Sequence, residues 1–278
     1  MKTLKDQARS IGAKLSAVAK KLKIPYQKIL TEFLLERLVV RLTQDTELSK
    51  YLIFKGGYVS LRVYDSPRYT IDLDALLKQG DLKLIAQSAQ MAAEVSHDDA
   101  VWFRLEKTSD LKTQGEDVGL RLSFRAGIGE VLKDVRIAQL INLDIGKGDP
   151  ITPPPVEIET PFILGGGYLS WKVYPAETIV SEKLHALLTR GDVNSRSKDI
   201  FDLNLLLPKC DPERLKKSLQ QTFHYRGDKL PNEIIGTLKQ IDRTLLKMGW
   251  ISAIKDIVNA PSCDEAFDSL IKKLSAIL

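Results

Sequence analysis

The stretch from Phe54 to Leu77, FKGGYVSLRVYDSPRYTIDLDALL, constrains this chain more than any other. Residues Ile71 to Leu77 are apolar or β-forming apart from two acids. They are expected to form a strand, on which residues two apart share a face. Asp72 and Asp74 then project together, and carboxylates that close repel unless a cation neutralises them. Hard divalent ions such as Mg²⁺ take one or two carboxylates together with phosphate oxygens, which is what an Asp-x-Asp at a strand end offers a nucleoside triphosphate. The competing reading is a surface strand whose polar face carries two acids. Upstream, Lys55-Gly56-Gly57 leads into a short apolar-periodic run that ends at an Asp65-Ser66-Pro67 turn. Glycines let backbone N–H groups close on an anion ahead of a helix. Alone, such a pair is only a turn.

Order adds to the argument. An apolar run, Gly-Gly, a short helix and then Asp-x-Asp on a strand resembles the signature of the nucleotidyltransferase superfold, in which the glycines hold the triphosphate and the acids hold metal ions. Lys55-Gly56-Gly57 followed by Arg68-x-Thr70-x-Asp72-x-Asp74 is narrower. It resembles the AbiEii-type nucleotidyltransferase toxins of bacterial toxin–antitoxin and abortive infection systems. The resemblance implies an α/β (α+β) fold, a mixed sheet flanked by helices with a C-terminal helical lobe. One departure is Tyr58, which stands where the superfold often has serine and the narrower family threonine, so a hydroxyl contact to phosphate is missing.

Composition sets the surroundings. The 278 residues suffice for one large or two modest domains. No apolar run reaches bilayer length and the N-terminus lacks a secretory apolar core, so the expected location is the cytoplasm, without a membrane. Cys210 and Cys263 are isolated, and His97, His185 and His224 are far apart, so neither a disulfide framework nor a zinc site is expected. The net charge of +5 is uneven: residues 1–50 carry 11 Lys/Arg against 5 Asp/Glu, residues 51–210 carry 19 against 22, and residues 211–278 carry 11 against 9. The basic ends either attract a polyanion such as RNA or are solvated helical faces.

In chain order, residues 3–23 show helical spacing, with Ala8, Ile11, Leu15, Val18 and Leu22 along one face, and Tyr26 to Leu42 forms a second helix beyond Pro25. The pair could be a helix-turn-helix, but the second helix is too apolar for a DNA groove and is expected to pack on the sheet. Asp81 caps a helix to Val95, and strands follow at Val101–Lys107, Val118–Arg125 and Arg136–Ile145. The third contains Asp144, an acid in an apolar strand that is costly to bury without a partner. By resemblance to the superfold it completes the metal site or accepts the acceptor's proton; the alternative is a cap for the Gly146-Lys147-Gly148 turn. Residues 148–161 are proline-rich and read as a connector, and Gly165-Gly166-Gly167 as a hairpin turn.

Two further helices, Thr178–Arg190 and one starting near Arg196, present Lys183 and, three apart, Asp199 and Asp202, with Lys198–Asp202 pairing along the helix as the plain reading. Glu-Lys-Leu-x-Ala-Leu, then Lys-Asp-x-x-Asp-Leu, again resembles the AbiEii-type toxins. The resemblance implies that Lys183 contacts the nucleotide phosphates and that Asp199, with Asp202 competing, supports the site. Residues 211–278 read as a helical bundle, with Leu215, Leu219, Phe223, Ile234, Leu238, Ile241, Leu245, Trp250, Phe267, Leu270 and Leu274 facing inward.

The expected organisation is N-terminal helices (1–50), a nucleotidyltransferase core (51–150), a connector with helices completing the site (151–210) and the bundle (211–278). The expected activity is metal-dependent transfer of a nucleoside monophosphate from an NTP to an acceptor hydroxyl. Asp72, Asp74 and Asp144 hold Mg²⁺, with two ions expected. Lys55, Gly56, Gly57, Arg68, Thr70 and Lys183 serve the nucleotide. By resemblance the acceptor is the 3′ end of tRNA and the partner an antitoxin encoded nearby. The alternatives are an antibiotic-type small-molecule nucleotidyltransferase, and a catalytically silent protein that binds nucleic acid through Lys20, Lys21 and Lys23. The sequence leaves the base transferred and the oligomeric state open.

Overall fold

The computed structural model describes residues 3–112, 118–148, 150–189, 196–255, 257 and 259–278. The chain divides into two compact units, one formed by Met1–Tyr58, Tyr69–Gly148 and Glu157–Val173, the other by Val59–Arg68, Asp149–Val156 and Tyr174–Leu278.

The first unit is built on a seven-stranded mixed sheet in the order β3-β4-β5-β2-β1-β7-β6. Its strands are β1 (Leu52–Lys55), β2 (Asp72–Leu77), β3 (Val101–Lys112), β4 (Val118–Ile128), β5 (Gln139–Lys147), β6 (Val156–Pro161) and β7 (Tyr168–Val173). β3, β4 and β5 are antiparallel neighbours, β5 runs parallel to β2, β2 antiparallel to β1, and β1 parallel to β7. Leu120, Leu122, Phe124 and Ala126 on β4 and Ile141, Leu143 and Ile145 on β5 are buried on one face. The residues between them, including Arg121, Arg125 and Asp144, take the other, as strand periodicity requires.

Helices α1 (Leu4–Leu22), α2 (Tyr26–Gln44), α3 (Leu48–Tyr51) and α5 (Leu82–Glu94) belong to this unit, and the first turn of α4 (Gly56–Val63) joins them. Asp81 caps α5 as expected, accepting from Lys83 and Leu84 N–H. α2 is buried along Ile29, Phe33, Leu34, Leu35, Leu38, Val39 and Leu42, so it is a core helix and not a groove reader. Near its C-terminal end the buried Arg41 donates to both Asp99 oxygens at 2.8 and 2.9 Å and to the Val101 carbonyl, fixing the start of β3. α1 buries less than its spacing suggests: Leu15 and Ala19 are covered, but Leu22 is exposed next to a left-handed Lys23 cap.

β3 and β4 run past the expected Lys107 and Arg125 to Lys112 and Ile128, and two further strand readings change. The third expected strand begins at Gln139 instead of Arg136, because Asp134 accepts from the Arg136 N–H and starts a 3-10 turn over Val135–Ile137. The proline-rich stretch is not connector throughout, since Val156–Pro161 forms β6. Prolines at a strand's start or end and at an edge cost no ladder hydrogen bond. The glycine triplet makes the expected hairpin between β6 and β7, all three residues taking positive φ.

The second unit contains α6 (Ala176–Thr189), α7 (Ser197–Leu206), α8 (Pro212–Tyr225), α9 (Ile234–Lys239), α10 (Thr244–Ile254) and α11 (Cys263–Ile277). Leu215, Leu219, Phe223, Leu238, Trp250, Phe267, Leu270 and Leu274 form its core as expected. Leu245 does not: Leu246 is the buried residue, because Asp242 accepts from the Thr244 N–H and hydroxyl and restarts the helix in a new register. The expected Gly191-Asp192 turn and Arg190 lie outside the described residues.

Candidate functional site

Strand register puts the first site together. Lys55 on β1 is opposite Asp74 on β2, Asp74 is opposite Asp144 on β5, and Asp144 is opposite Arg121 on β4. Directly paired residues share a face. A row of cation, acid, acid and cation therefore crosses four strands, with Asp72 one pleat away and paired to Asn142. Asn142 donates to Asp72 Oδ1 at 2.9 Å. Thr70 sets the entry to the strand, its hydroxyl accepting from the Asp72 N–H at 3.2 Å.

Gly56 has φ +74°, and a Cβ there would run into the Asp74 carboxyl. A Cβ on Gly57 would lie 3.3 Å from Thr70 Cβ. Gly56 is thus required by close approach to the acid-bearing segment, whatever ligand it also meets, and Gly57 is closely packed there. Tyr58 turns the other way. It is fully buried, its ring centroid 5.8 Å from that of Trp171 and its hydroxyl 3.3 Å from the Glu32 carbonyl. The residue that replaces the expected Ser or Thr is a core anchor for the glycine turn.

Arg121 is the residue that sequence reading missed. It donates to both oxygens of Asp144, at 2.7 and 2.6 Å, and lies 3.9 Å from Asp72 Oδ1. Its hydrogen bonds to Asp144, reinforced by the charges of Asp72 and Asp74, raise its pKa above the ordinary arginine value. Asp144 caps no turn, since β5 continues through it to Lys147. Alternation had put Arg121 on the polar face of β4; only the register shows which acid it meets.

The donor chemistry fits a hard divalent cation. Asp72 and Asp74 offer oxygen ligands on one half-exposed strand face, and Asp144 adds a third carboxylate alongside. Among the described residues, no ready-made cluster of three metal-ligating side chains is present. The guanidinium of Arg121 holds Asp144 and supplies positive charge in the same place. Asp72 and Asp74 fit such an ion directly, and Asp144 fits once Arg121 yields an oxygen.

A second cluster lies within the helical unit. Lys183 Nζ on α6 is 2.7 Å from Asp199 Oδ1 and 2.8 Å from Asp202 Oδ2, both on α7. Arg68 donates to both oxygens of Asp202 at 3.0 Å, and Arg196 Nε lies 2.5 Å from Asp199 Oδ2. Asp202 is therefore no partner of Lys198 along the helix; it is fully buried between two cations. Burial opposes its ionised form, but Lys183 and Arg68 hold its pKa below the usual carboxylate value. Burial likewise opposes the charge on Lys183, and the two aspartates outweigh it, raising the lysine above its ordinary value. An ammonium has three donors, of which two are engaged here. Asp199 and Asp202 share Lys183 but hold different arginines, the half-exposed Arg196 and Arg68.

Comparison with known proteins gives this arrangement a family. A search of curated protein sequences finds no match. Among solved structures, MenT4, a nucleotidyltransferase toxin from Mycobacterium tuberculosis H37Rv, is similar over 95% of this chain and 98% of its own, with 16% identity and a TM-score of 0.56. JHP933 from Helicobacter pylori is similar over 91% of this chain and 92% of its own, with 17% identity and a TM-score of 0.51. At these identities the likeness is one of fold. A family model described as the nucleotidyl transferase AbiEii toxin of a type IV toxin–antitoxin system matches residues 37–273, a span that takes in the acid row and the Lys183 cluster. The chain therefore belongs to the AbiEii nucleotidyltransferase toxin family.

Proposed function

We propose that this toxin transfers a nucleoside monophosphate from an NTP to a hydroxyl at the 3′ end of tRNA, and that it acts in the cytoplasm against translation until its cognate antitoxin counters it. The observation that carries the reading is the row of Lys55, Asp74, Asp144 and Arg121 beside Asp72, with Gly56 and Gly57 packed against it. Bound Mg²⁺ would be held by Asp72 and Asp74, with Asp144 as the third ligand, and would supply Lewis-acid charge at the phosphates.

The chain's own part is positioning. The Gly56-Gly57 turn presents N–H groups to the β- and γ-phosphates, and Lys55 offsets their charge. Thr70 orders the segment that carries the acids, and Arg68 is held by Asp202. Lys183 would serve a phosphate oxygen, as the family resemblance implies, with Asp199 and Asp202 fixing the ammonium. The acceptor oxygen bonds to the α-phosphorus as the bond to the bridging α–β oxygen breaks, and pyrophosphate leaves. The hydroxyl proton passes to Asp144 when Arg121 holds that carboxylate off the ion, and to solvent when Asp144 serves as the third ligand. Such a transition state needs alignment and charge stabilisation more than a covalent nucleophile.

The test is purified protein with Mg²⁺, each α-labelled ribonucleotide and total tRNA, beside Asp72→Ala/Asp74→Ala. Label on tRNA with the wild type alone is the expected result. Nucleotide binding without labelled tRNA would redirect the reading to another acceptor.

A further inference from the structure

The face of the sheet that carries the acids does not end with them. Along β4 the same pleat positions are Arg121, Ser123, Arg125 and Gly127, and their β3 partners are Ser109, Lys107, Arg104 and Trp102. Outside the acid row this face holds Arg104, Lys107 and Arg125, with Glu106 as the neighbouring acid. Arg125 and Glu106 pair bidentately, both bonds at 3.1 Å. Arg104 and Lys107 are exposed and have no ion-pair partner among the described residues. Arg104 also stands directly opposite Arg125. Like charges directly across a strand pair are destabilising, and here Glu106 offsets Arg125, so Arg104 and Lys107 carry the charge that an anionic partner would meet. From Arg121 to Arg125 the distance along the strand is about 14 Å, on the order of two or three nucleotides. At the C-terminal end of β4 the face meets a cavity of about 570 Å³ lined by Tyr26, Trp102, Arg125, Gly127 and Arg136 among others. Cations along a surface followed by an exposed aromatic ring, here Tyr26, suit a single strand, phosphates on the former and a base on the latter.

We propose that the outer face of β3 and β4 is the binding track for the acceptor, a single-stranded polynucleotide end. Its phosphates lie on Arg104, Lys107 and Arg125, and its terminal hydroxyl lies at Asp72, Asp74 and Asp144. This rests on the nucleotidyltransferase reading above and adds the surface that selects the acceptor's chemistry. The charge excess at the C-terminal end of α1, at Lys20, Lys21 and the Lys23 cap, is not the principal contact.

The experiment measures anisotropy of a labelled single-stranded ribo-oligonucleotide with a free 3′ hydroxyl, and of bulk tRNA as competitor, against the full chain at several salt concentrations. Arg104→Glu/Lys107→Glu is expected to weaken binding about tenfold or more and to flatten the salt dependence by the loss of about two phosphate contacts. Arg104→Gln/Lys107→Gln should show a smaller loss of the same sign. Separate NTP binding by each variant, without RNA, reports folding. Wild-type RNA affinity in the double reversal, a larger loss in Lys20→Glu/Lys21→Glu/Lys23→Glu, or no RNA binding by the wild type would each overturn the track. Failure of the wild type to bind NTP would instead strike the transferase reading, and the oligonucleotide result would still stand or fall by itself.

Discussion

Asp74 and Asp202 are both aspartates with cations close by, and they sit in opposite circumstances. Asp74 is half-buried on a strand face, in a row where Lys55 and Arg121 occupy the outer positions. Asp202 has no exposed surface and accepts from Arg68 and Lys183, leaving neither oxygen without a donor. The first arrangement keeps its carboxyl on a half-exposed face that a ligand can reach. The second is already complete, so its worth lies in holding Arg68 and Lys183 still. Desolvated ions can be kept only when paired, and removing one partner costs far more than the pair itself contributes.

The largest effect expected from that difference is at Lys183. Lys183→Met strands two buried carboxylates and should lower unfolding stability by about 3–5 kcal/mol. Denaturant unfolding measures it, and a loss under about 1 kcal/mol would show that the cluster is solvated and not comparable to a buried network. Asp72→Asn and Asp74→Asn should do the reverse. Nucleotide transfer should fall by about 10²–10³-fold or more, the scale of losing one preorganised electrostatic group, while the denaturation midpoint moves little. A large stability loss there would erase the contrast.

Acid sharpens it. The folded pKa of Asp202 is depressed by Lys183 and Arg68 against the opposing effect of burial. The stability it contributes is therefore fully present above the ordinary carboxylate pKa near 4 and is lost as pH falls through the lower folded value. Lys183 is raised, so its contribution is present below the ordinary lysine pKa and is lost only as pH rises beyond it. Stability measured from pH 5 downward should drop more steeply in the wild type than in Asp202→Asn, provided that variant folds. Equal slopes would assign the acid sensitivity elsewhere.

How much of this could be read from the chain follows from which distances sequence controls. Spacing by two placed Asp72 and Asp74 on one face, and alternation placed Arg121 opposite Leu120 and Leu122, because a strand has a fixed period. Spacing by three put Asp199 and Asp202 on one side of a helix for the same reason. Register between strands is a tertiary property, so the bidentate Arg121–Asp144 pair was invisible, as was the bond from Arg68 to a residue 134 positions away. The Tyr58 substitution looked like damage to a phosphate contact; burial against Trp171 shows it serving the core. In the bundle, the helix restart at Asp242 shifted the inward residue from Leu245 to Leu246, a change that periodicity carried across a break could not register.

The smallest effect concerns the link between these regions of sequence, Thr70. Its hydroxyl accepts from the Asp72 N–H at 3.2 Å and lies 3.3 Å from the Asp72 carbonyl, an arrangement that fixes the backbone where the acid strand begins. Thr70→Val preserves shape and removes the hydroxyl, so it should cost about 1 kcal/mol, the net worth of one hydrogen bond. Thr70→Ser keeps the hydroxyl and should restore most of it. If Thr70 acts by positioning Asp72, Thr70→Val also lowers the rate of transfer at saturating nucleotide and leaves nucleotide affinity nearly unchanged. A loss confined to nucleotide affinity, restored by serine, would instead make Thr70 a direct phosphate contact and move it from the acid strand's support to the ligand's.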